Sequence, residues 1–156
     1  TKRPENIESL ADWRERGTNR RLAWPNNVWI GVTAEDQERA DERIPLLLQV
    51  PAAVRFVSYE PALGEVNLER AVYRAGRLPE SEGMGISWVI IGGESGPKRR
   101  AMPIAWCTNM VQQCRDAGIA CFVKQDSGPR PGMQGHIPDE LWKFKQFPHF
   151  ALHTGG

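Results

Sequence analysis

The sequence lacks an apolar run long enough to cross a membrane, since such a span needs about 20 consecutive residues. It also lacks the basic and apolar segments of a secretory signal peptide. These absences predict a cytoplasmic protein with no membrane partner. No methionine precedes Thr1, so we expect the chain to begin inside a longer gene product.

Cysteine is scarce, with only Cys107, Cys114 and Cys121. The odd count and the missing secretory signal favour a reducing compartment. The spacing of these residues matches neither the close C-x₂-C pairs of zinc sites nor the usual iron–sulfur runs. We therefore expect three buried apolar thiols, with no metal site and no cofactor in this chain.

Charge of either sign is not in excess, because 20 basic residues oppose 19 acidic ones. This balance does not predict non-specific binding to nucleic acid. We interpret the short cluster Lys98-Arg99-Arg100 as solvated loop charge. His136, His149 and His153 show no metal-ligand spacing and are expected to be exposed or locally hydrogen-bonded. The sequence contains no Walker A loop and no G-x-S-x-G elbow.

The most informative stretch is an apolar run, Trp88 to Ile91, that breaks into Gly92-Gly93-Glu94-Ser95-Gly96-Pro97. A short run of mainly β-branched residues closed by glycines is typical of a strand buried on both faces of a parallel sheet. The glycines predict open backbone N–H groups just past the strand. In parallel α/β folds, ligands bind at that end of the strands.

Similar apolar runs and helical patterns alternate along the chain. They predict one α/β domain, with a parallel sheet of about four strands and flanking helices. Its core extends to about residue 128, and residues 129–156 are expected to be irregular apart from a short helix or turn over 139–147. The other strands are predicted over 28–32, 54–58 and 119–123, and helices over 4–16, 36–48 and 103–117.

Three segments carry further expectations. Pro45 interrupts the second helical pattern, and an interior proline costs about 3 kcal/mol, so two shorter helices are predicted there. Residues 62–85 show little periodicity and are interpreted as a long, mobile loop with one short helix or strand. The tail from Pro148 is expected to be frayed.

Polar residues follow every predicted strand, and parallel strands bring their carboxyl ends to one edge. Carboxylates beside a lysine can bind an amino-bearing ligand, chelate a hard metal ion or exchange a proton. Asp36 has a second explanation, as a residue at a helix N-terminus. We predict catalytic roles for Glu60, Glu94 and Lys124, and ligand binding by Thr33, Glu35, Ser58, Tyr59, Gly92, Gly93, Ser95 and Gln125.

Four motifs in order resemble one known family. The segments are Asn27-Val28-Trp29-Ile30-Gly31-Val32-Thr33-Ala34-Glu35-Asp36-Gln37, Arg55-Phe56-Val57-Ser58-Tyr59-Glu60-Pro61, Trp88 to Pro97, and Phe122-Val123-Lys124-Gln125. They are similar to segments of the phage gp-thirty-seven/gp-sixty-eight family, whose full-length members look like radical-SAM proteins. The resemblance implies that this chain is the C-terminal half of a TIM-type barrel, with Glu60, Glu94 and Lys124 lining its pocket.

The resemblance also implies S-adenosylmethionine and a [4Fe–4S] cluster in the full-length protein, although the cluster's cysteines have no counterpart here. Three functions stay open. The chain could supply a ligand or substrate pocket to such a barrel while being inactive alone. It could be a metal-assisted or hydrolase-like enzyme using Glu35, Glu60, Glu94 and Lys124. It could also be a binding or assembly module that contacts partners through residues 62–85, and as a fragment it could form homodimers.

Overall fold

The computed structural model describes residues 24–25, 27–76 and 82–148. The predicted helix over 4–16 and the tail from residue 149 lie outside these ranges. The four predicted strands are present as β1 (Ile30–Thr33), β2 (Arg55–Tyr59), β3 (Trp88–Gly92) and β4 (Ala120–Gln125). They form one parallel sheet in the order β1-β2-β3-β4. The α/β prediction is confirmed, and the sheet is not closed into a barrel.

The helix after β1 is continuous, so the prediction of two shorter helices around Pro45 was wrong. This helix, α1, spans Gln37–Leu47, and Asp36 caps it by accepting a hydrogen bond from the Arg39 N–H. Pro45 has no N–H to donate to the helix, but it lies in the last turn and only two helical residues follow it. Ile44 and Leu47 are fully buried there, and their packing holds the turn in place.

The segment between β2 and β3 contains the one short helix that was predicted there, and a 3₁₀ turn in addition. Helix α2 (Leu68–Tyr73) has Asn67 as its N-cap, and a 3₁₀ turn spans Glu82–Gly85. The remaining helices are α3 (Ile104–Asp116) and the short α4 (Asp139–Trp142). In the described part of the chain, no helix has the length and apolar character that a membrane crossing needs.

The core lies on one face of the sheet. Val32, Val57, Val89 and Cys121 are aligned by the strand register and are all buried. Tyr59, Ile91 and Val123 form the next row on the same face. Alternate strand residues point to the same face, so these rows define one side of the sheet. The helices bury their apolar residues in the same cluster, which includes Ala40, Ile44, Leu47, Leu68, Ala71, Val72, Cys107, Met110, Val111 and Cys114.

The second face of the sheet carries an aromatic cluster centred on Trp88. The Trp88 rings lie 5.8 Å from the Phe56 ring, 6.2 Å from the Phe122 ring and 5.3 Å from the Phe147 ring, centroid to centroid. The Trp88 Nε1 donates to the main-chain oxygen of Gln146 at 2.9 Å. Gly31 permits this packing, because a Cβ there would come 2.3 Å from the Phe56 ring.

The outer edge of β4 is covered by residues 144–146, which we call the edge strap. The Val123 N–H donates to the Phe144 carbonyl at 2.8 Å, and the Gln146 N–H donates to the Cys121 carbonyl at 2.9 Å. The Gln146 side chain accepts from the Cys121 N–H, and the Lys145 ammonium donates to the Val123 carbonyl. All four polar main-chain groups of Cys121 and Val123 are therefore bonded, which protects the edge from pairing with another strand.

Truncation tests the role of the edge strap. A chain ending at Lys143 is expected to self-associate as its concentration rises, because the N–H and C=O groups of β4 become available to a second strand. Sedimentation velocity measures this association. The matched control ends at Pro148 and retains the strap, so it should not self-associate through the β4 edge. Equal association of the two truncated chains would contradict the assignment.

Candidate functional site

A pocket of about 400 Å³ lies at the carboxyl ends of the strands. Residues from all four strand ends line it, so the convergence predicted from the sequence is present in the fold. Its walls contain three glutamates, one arginine, one glutamine and small or apolar residues: Glu35, Glu60, Pro61, Leu63, Gly93, Glu94, Ser95, Arg100 and Gln125. We call it the strand-end pocket.

Glu60 and Lys124 form an ion pair across β3. The Lys124 Nζ lies 2.9 Å from Oε1 and 3.0 Å from Oε2 of Glu60. The Glu60 side chain is 18% exposed and the Lys124 side chain 45% exposed. Because the Lys124 ammonium is half exposed, breaking this pair leaves one partner solvated and costs less than breaking a fully buried pair. The pair can therefore open for a charged ligand at small cost.

Glu35 has a buried partner. The Arg43 Nη1 lies 2.9 Å from the Glu35 Oε2 and donates to the Thr33 carbonyl at 2.8 Å. Both side chains are nearly buried, at 9% exposed for Arg43 and 12% for Glu35. Removing one member of such a pair leaves a buried charge, which is strongly destabilising. The Glu35–Arg43 pair is thus a fixed part of the pocket wall.

Glu94 is held by the loop that follows it. Its Oε2 accepts from the main-chain N–H and the Nε of Arg100 at 2.7 and 2.9 Å, and its Oε1 accepts from the Arg100 Nη2 at 2.7 Å. These hydrogen bonds lower the pKa of Glu94 from 4.5 to about 2. Glu94 is therefore ionised at neutral pH and is already paired with a cation.

Two glycines at the end of β3 let the ends of the neighbouring strands β2 and β4 approach closely. A Cβ at Gly92 would lie 3.0 Å from the Glu60 side chain and 3.2 Å from that of Gln125. A Cβ at Gly93 would lie 2.3 Å from the main-chain nitrogen of Ser127. The prediction of open N–H groups was wrong, because Gly93 donates to the Gln125 carbonyl and Gly96 to the Gly128 carbonyl. The β3 and β4 backbones keep pairing beyond the strands.

The other predicted ligand residues are placed differently. Ser95 lines the strand-end pocket, whereas Thr33 and Ser58 lie side by side on the second face of the sheet. Gln125 also lines the pocket, but its buried amide bonds the Gly93 carbonyl and the Gly132 N–H. Tyr59 points into the core, where its hydroxyl donates to the Gly64 carbonyl at 2.5 Å and burial raises its pKa.

Sequence reasoning missed the two arginines that balance the glutamates. Arg100 was interpreted as solvated loop charge, although its guanidinium lies in the pocket wall. Arg43 occupies a buried position between Ala40 and Ile44 of α1 and reaches back to the residue that follows β1. A basic residue within an otherwise apolar helix stripe was the available signal for Arg43.

The three cysteines lie away from the strand-end pocket. Cys107, Cys114 and Cys121 are buried and unpaired by disulfides, which confirms the expectation of buried thiols. Burial raises the pKa of the Cys107 thiol to about 12, which disfavours the thiolate form that metals bind. In the described ranges, no group of three or more His, Cys, Asp or Glu residues is arranged to hold a metal ion.

The model of one protein family matches residues 1–136, which is most of the chain. The chain belongs to the DUF5131 family. Its members are described as proteins of unknown function. Comparisons of this DUF5131 chain with curated proteins and with solved structures gave no match.

Replacing Arg100 tests whether its hydrogen bonds lower the pKa of Glu94. In Arg100→Gln, the pKa of Glu94 is expected to rise from about 2 toward its ordinary value of 4.5, because the charged hydrogen bonds are lost. A carboxylate whose folded-state pKa is lowered stabilises the fold above its ordinary pKa. The stabilisation is lost as pH falls through the interval from 4.5 to about 2. Carboxyl ¹³C NMR titration measures the shift.

Arg99→Gln is the matched control for this titration. The Arg99 guanidinium bonds the Gly96 carbonyl instead of Glu94. The control should leave the low pKa of Glu94 unchanged. An unchanged Glu94 titration in Arg100→Gln would show that the Arg100 side chain does not bond Glu94 in solution.

Proposed function

We propose that this DUF5131 chain supplies the ligand pocket of a longer parallel β/α protein that resembles radical-SAM barrels. The proposal depends mainly on the convergence of Glu35, Glu60 and Glu94, from three strand ends, on one pocket. Carboxyl ends of parallel strands are where such folds place their chemistry. The sequential strand order, with the core on a single face, also suits one part of a barrel wall. Alone, the chain is proposed to be inactive.

The charges of the pocket indicate the kind of ligand. Each glutamate already has a basic partner, so the pocket is close to neutral. Glu35 is paired with a nearly buried arginine, and three hydrogen bonds from Arg100 hold Glu94. Glu60 is contacted only by the ammonium of the half-exposed Lys124 among the contacts described above. A ligand amine can replace Lys124 on Glu60, while a ligand carboxylate can pair with the displaced ammonium. The proposed ligand is therefore a polar molecule with an amino group, bound at Glu60 and Lys124.

S-adenosylmethionine carries such an amino group, and Glu60 is the residue suited to hold it. A [4Fe–4S] cluster does not fit the described residues. Such a cluster is held by cysteine thiolates, whereas Cys107, Cys114 and Cys121 are buried in the core, where burial raises the pKa of the Cys107 thiol to about 12 and disfavours the thiolate. A cluster in the longer protein would therefore depend on cysteines outside this part of the chain.

A binding or assembly module is the second candidate function, and the second face of the sheet favours it. Phe147 packs at an angle against the rings of Trp88 and Phe122 yet remains 58% exposed. Exposed aromatic surface of this kind is common where proteins associate. A homodimer formed through this face would bury it. The metal-assisted alternative has less support, because each of the three glutamates is already paired with a positively charged side chain.

The decisive experiment measures iron and acid-labile sulfide in the longer gene product, purified without oxygen, with this chain as the control. The proposal predicts iron and sulfide in the longer protein and none in this chain. Absence of both from the longer protein would contradict the radical-SAM part of the proposal. It would leave the Glu60–Lys124 site as a binding site without that chemistry.

A further inference from the structure

A second pocket, of about 630 Å³, lies beside the strand-end pocket. It is formed between the loop that follows β3 and the loop that follows β4. Arg99, Met102, Ile104, Asp126, Ser127 and His136 are among the residues that line it. We call it the loop pocket. The function proposed above uses none of its side chains.

The Asp126 carboxylate organises one wall of the loop pocket. Its side chain is only 5% exposed. Its Oδ1 accepts from the Ser127 N–H at 2.6 Å, and its Oδ2 accepts from the His136 N–H at 2.7 Å. Gly135 adopts a φ of +55°, and a Cβ there would come 2.4 Å from the Asp126 Oδ2. The β4–α4 loop is therefore folded closely around this carboxylate.

The same carboxylate also lies close to the His136 ring. The His136 Nδ1 lies 3.4 Å from the Asp126 Oδ2, while the side chain is 94% exposed. The two ring nitrogens point in different directions, so contact through Nδ1 leaves Nε2 available to a ligand. Asp126 thus acts on the pocket through His136, as second partners of functional histidines commonly do.

The groups that the loop pocket offers a ligand are mainly hydrogen-bond donors. Arg99 is exposed and uses its Nη1 on the Gly96 carbonyl at 3.3 Å, which leaves other N–H groups of the guanidinium available. The Ser127 Oγ accepts from the Met102 N–H at 3.0 Å, so its own proton can be donated. The Asp126 carboxylate is occupied by two main-chain N–H groups and by the imidazole.

We propose that the loop pocket binds an oxyanion, the phosphate or carboxylate group of a small ligand. Arg99, Ser127 and the His136 Nε2 are its donors, and Asp126 is the positioning residue. A guanidinium, an imidazole and a hydroxyl that line one pocket supply the hydrogen-bond donors and positive charge that such a group requires. The inference does not rest on the function proposed for Glu60 and Lys124.

Titration of the full chain with inorganic phosphate tests the proposal. The ¹H–¹³C NMR signal of the His136 Cε1–H is followed at constant ionic strength, with chloride replaced by phosphate and, in a second series, by acetate. A saturable shift with either anion supports the site, and saturation by phosphate alone assigns it to phosphate groups. The absence of a saturable shift with either anion would overturn the proposal.

Three variants separate binding from general charge. Arg99→Gln is expected to weaken binding about tenfold, because a charge-assisted hydrogen bond is lost. Arg130→Gln, which changes an exposed arginine of the same loop outside the pocket lining, should have no effect. His136→Asn keeps the main-chain N–H that bonds Asp126 and should abolish binding, as followed at the Ser127 amide. Equal binding by all three variants would overturn the assignment.

The positioning role of Asp126 has its own readout. In the phosphate-bound chain, ring ¹⁵N shifts should show protons on both nitrogens of His136, with Nδ1 facing the Asp126 carboxylate and Nε2 donating to the phosphate. In Asp126→Asn, addition of phosphate should no longer produce this doubly protonated ring, and binding should be lost. A doubly protonated ring on phosphate addition in Asp126→Asn would show that Asp126 does not position His136.

Discussion

The strand-end pocket depends on the close approach of the segments that end β2, β3 and β4. They meet at Gly92 and Gly93, which carry no side chains. Glu60 from β2 and Gln125 from β4 occupy the space that a Cβ of Gly92 would need. Beyond them, the main chain at Ser127 lies against Gly93. Any larger residue would push the strand ends apart, and the Glu60–Lys124 contact across β3 depends on this spacing.

The same approach explains how a small pocket accommodates three glutamates. Glu35 is neutralised from beneath by Arg43 of α1, Glu94 from its own loop by Arg100, and Glu60 from the next strand by Lys124. Each pair uses a different element of the fold, so the three carboxylates do not have to share one cation. The Glu35–Arg43 pair is nearly buried and therefore structural, and three hydrogen bonds from Arg100 hold Glu94. The Glu60–Lys124 pair has neither constraint and is the one open to a ligand.

The sheet and its polar edge could be predicted from the sequence because four apolar runs are each followed by polar residues. The alternation of side chains along β2 could also have placed Tyr59, since it has the same parity as the buried Val57. The partners Arg43 and Arg100 could not be predicted in this way, because their contacts depend on how a helix and a loop fold back. Pro45 was misinterpreted because the local pattern does not show the packing of the fully buried Ile44 and Leu47, which holds the last turn despite the missing N–H.

The most direct test of the account is whether Glu60 binds an amino-bearing ligand. Binding of S-adenosylmethionine to the longer gene product is measured by calorimetry for the unchanged protein, Glu60→Gln and Glu69→Gln. Glu69 is an exposed glutamate on α2, away from the strand-end pocket, and serves as the matched control. The account predicts affinity about tenfold lower for Glu60→Gln alone, since a charged hydrogen bond is lost. Equal affinity of all three proteins would contradict it.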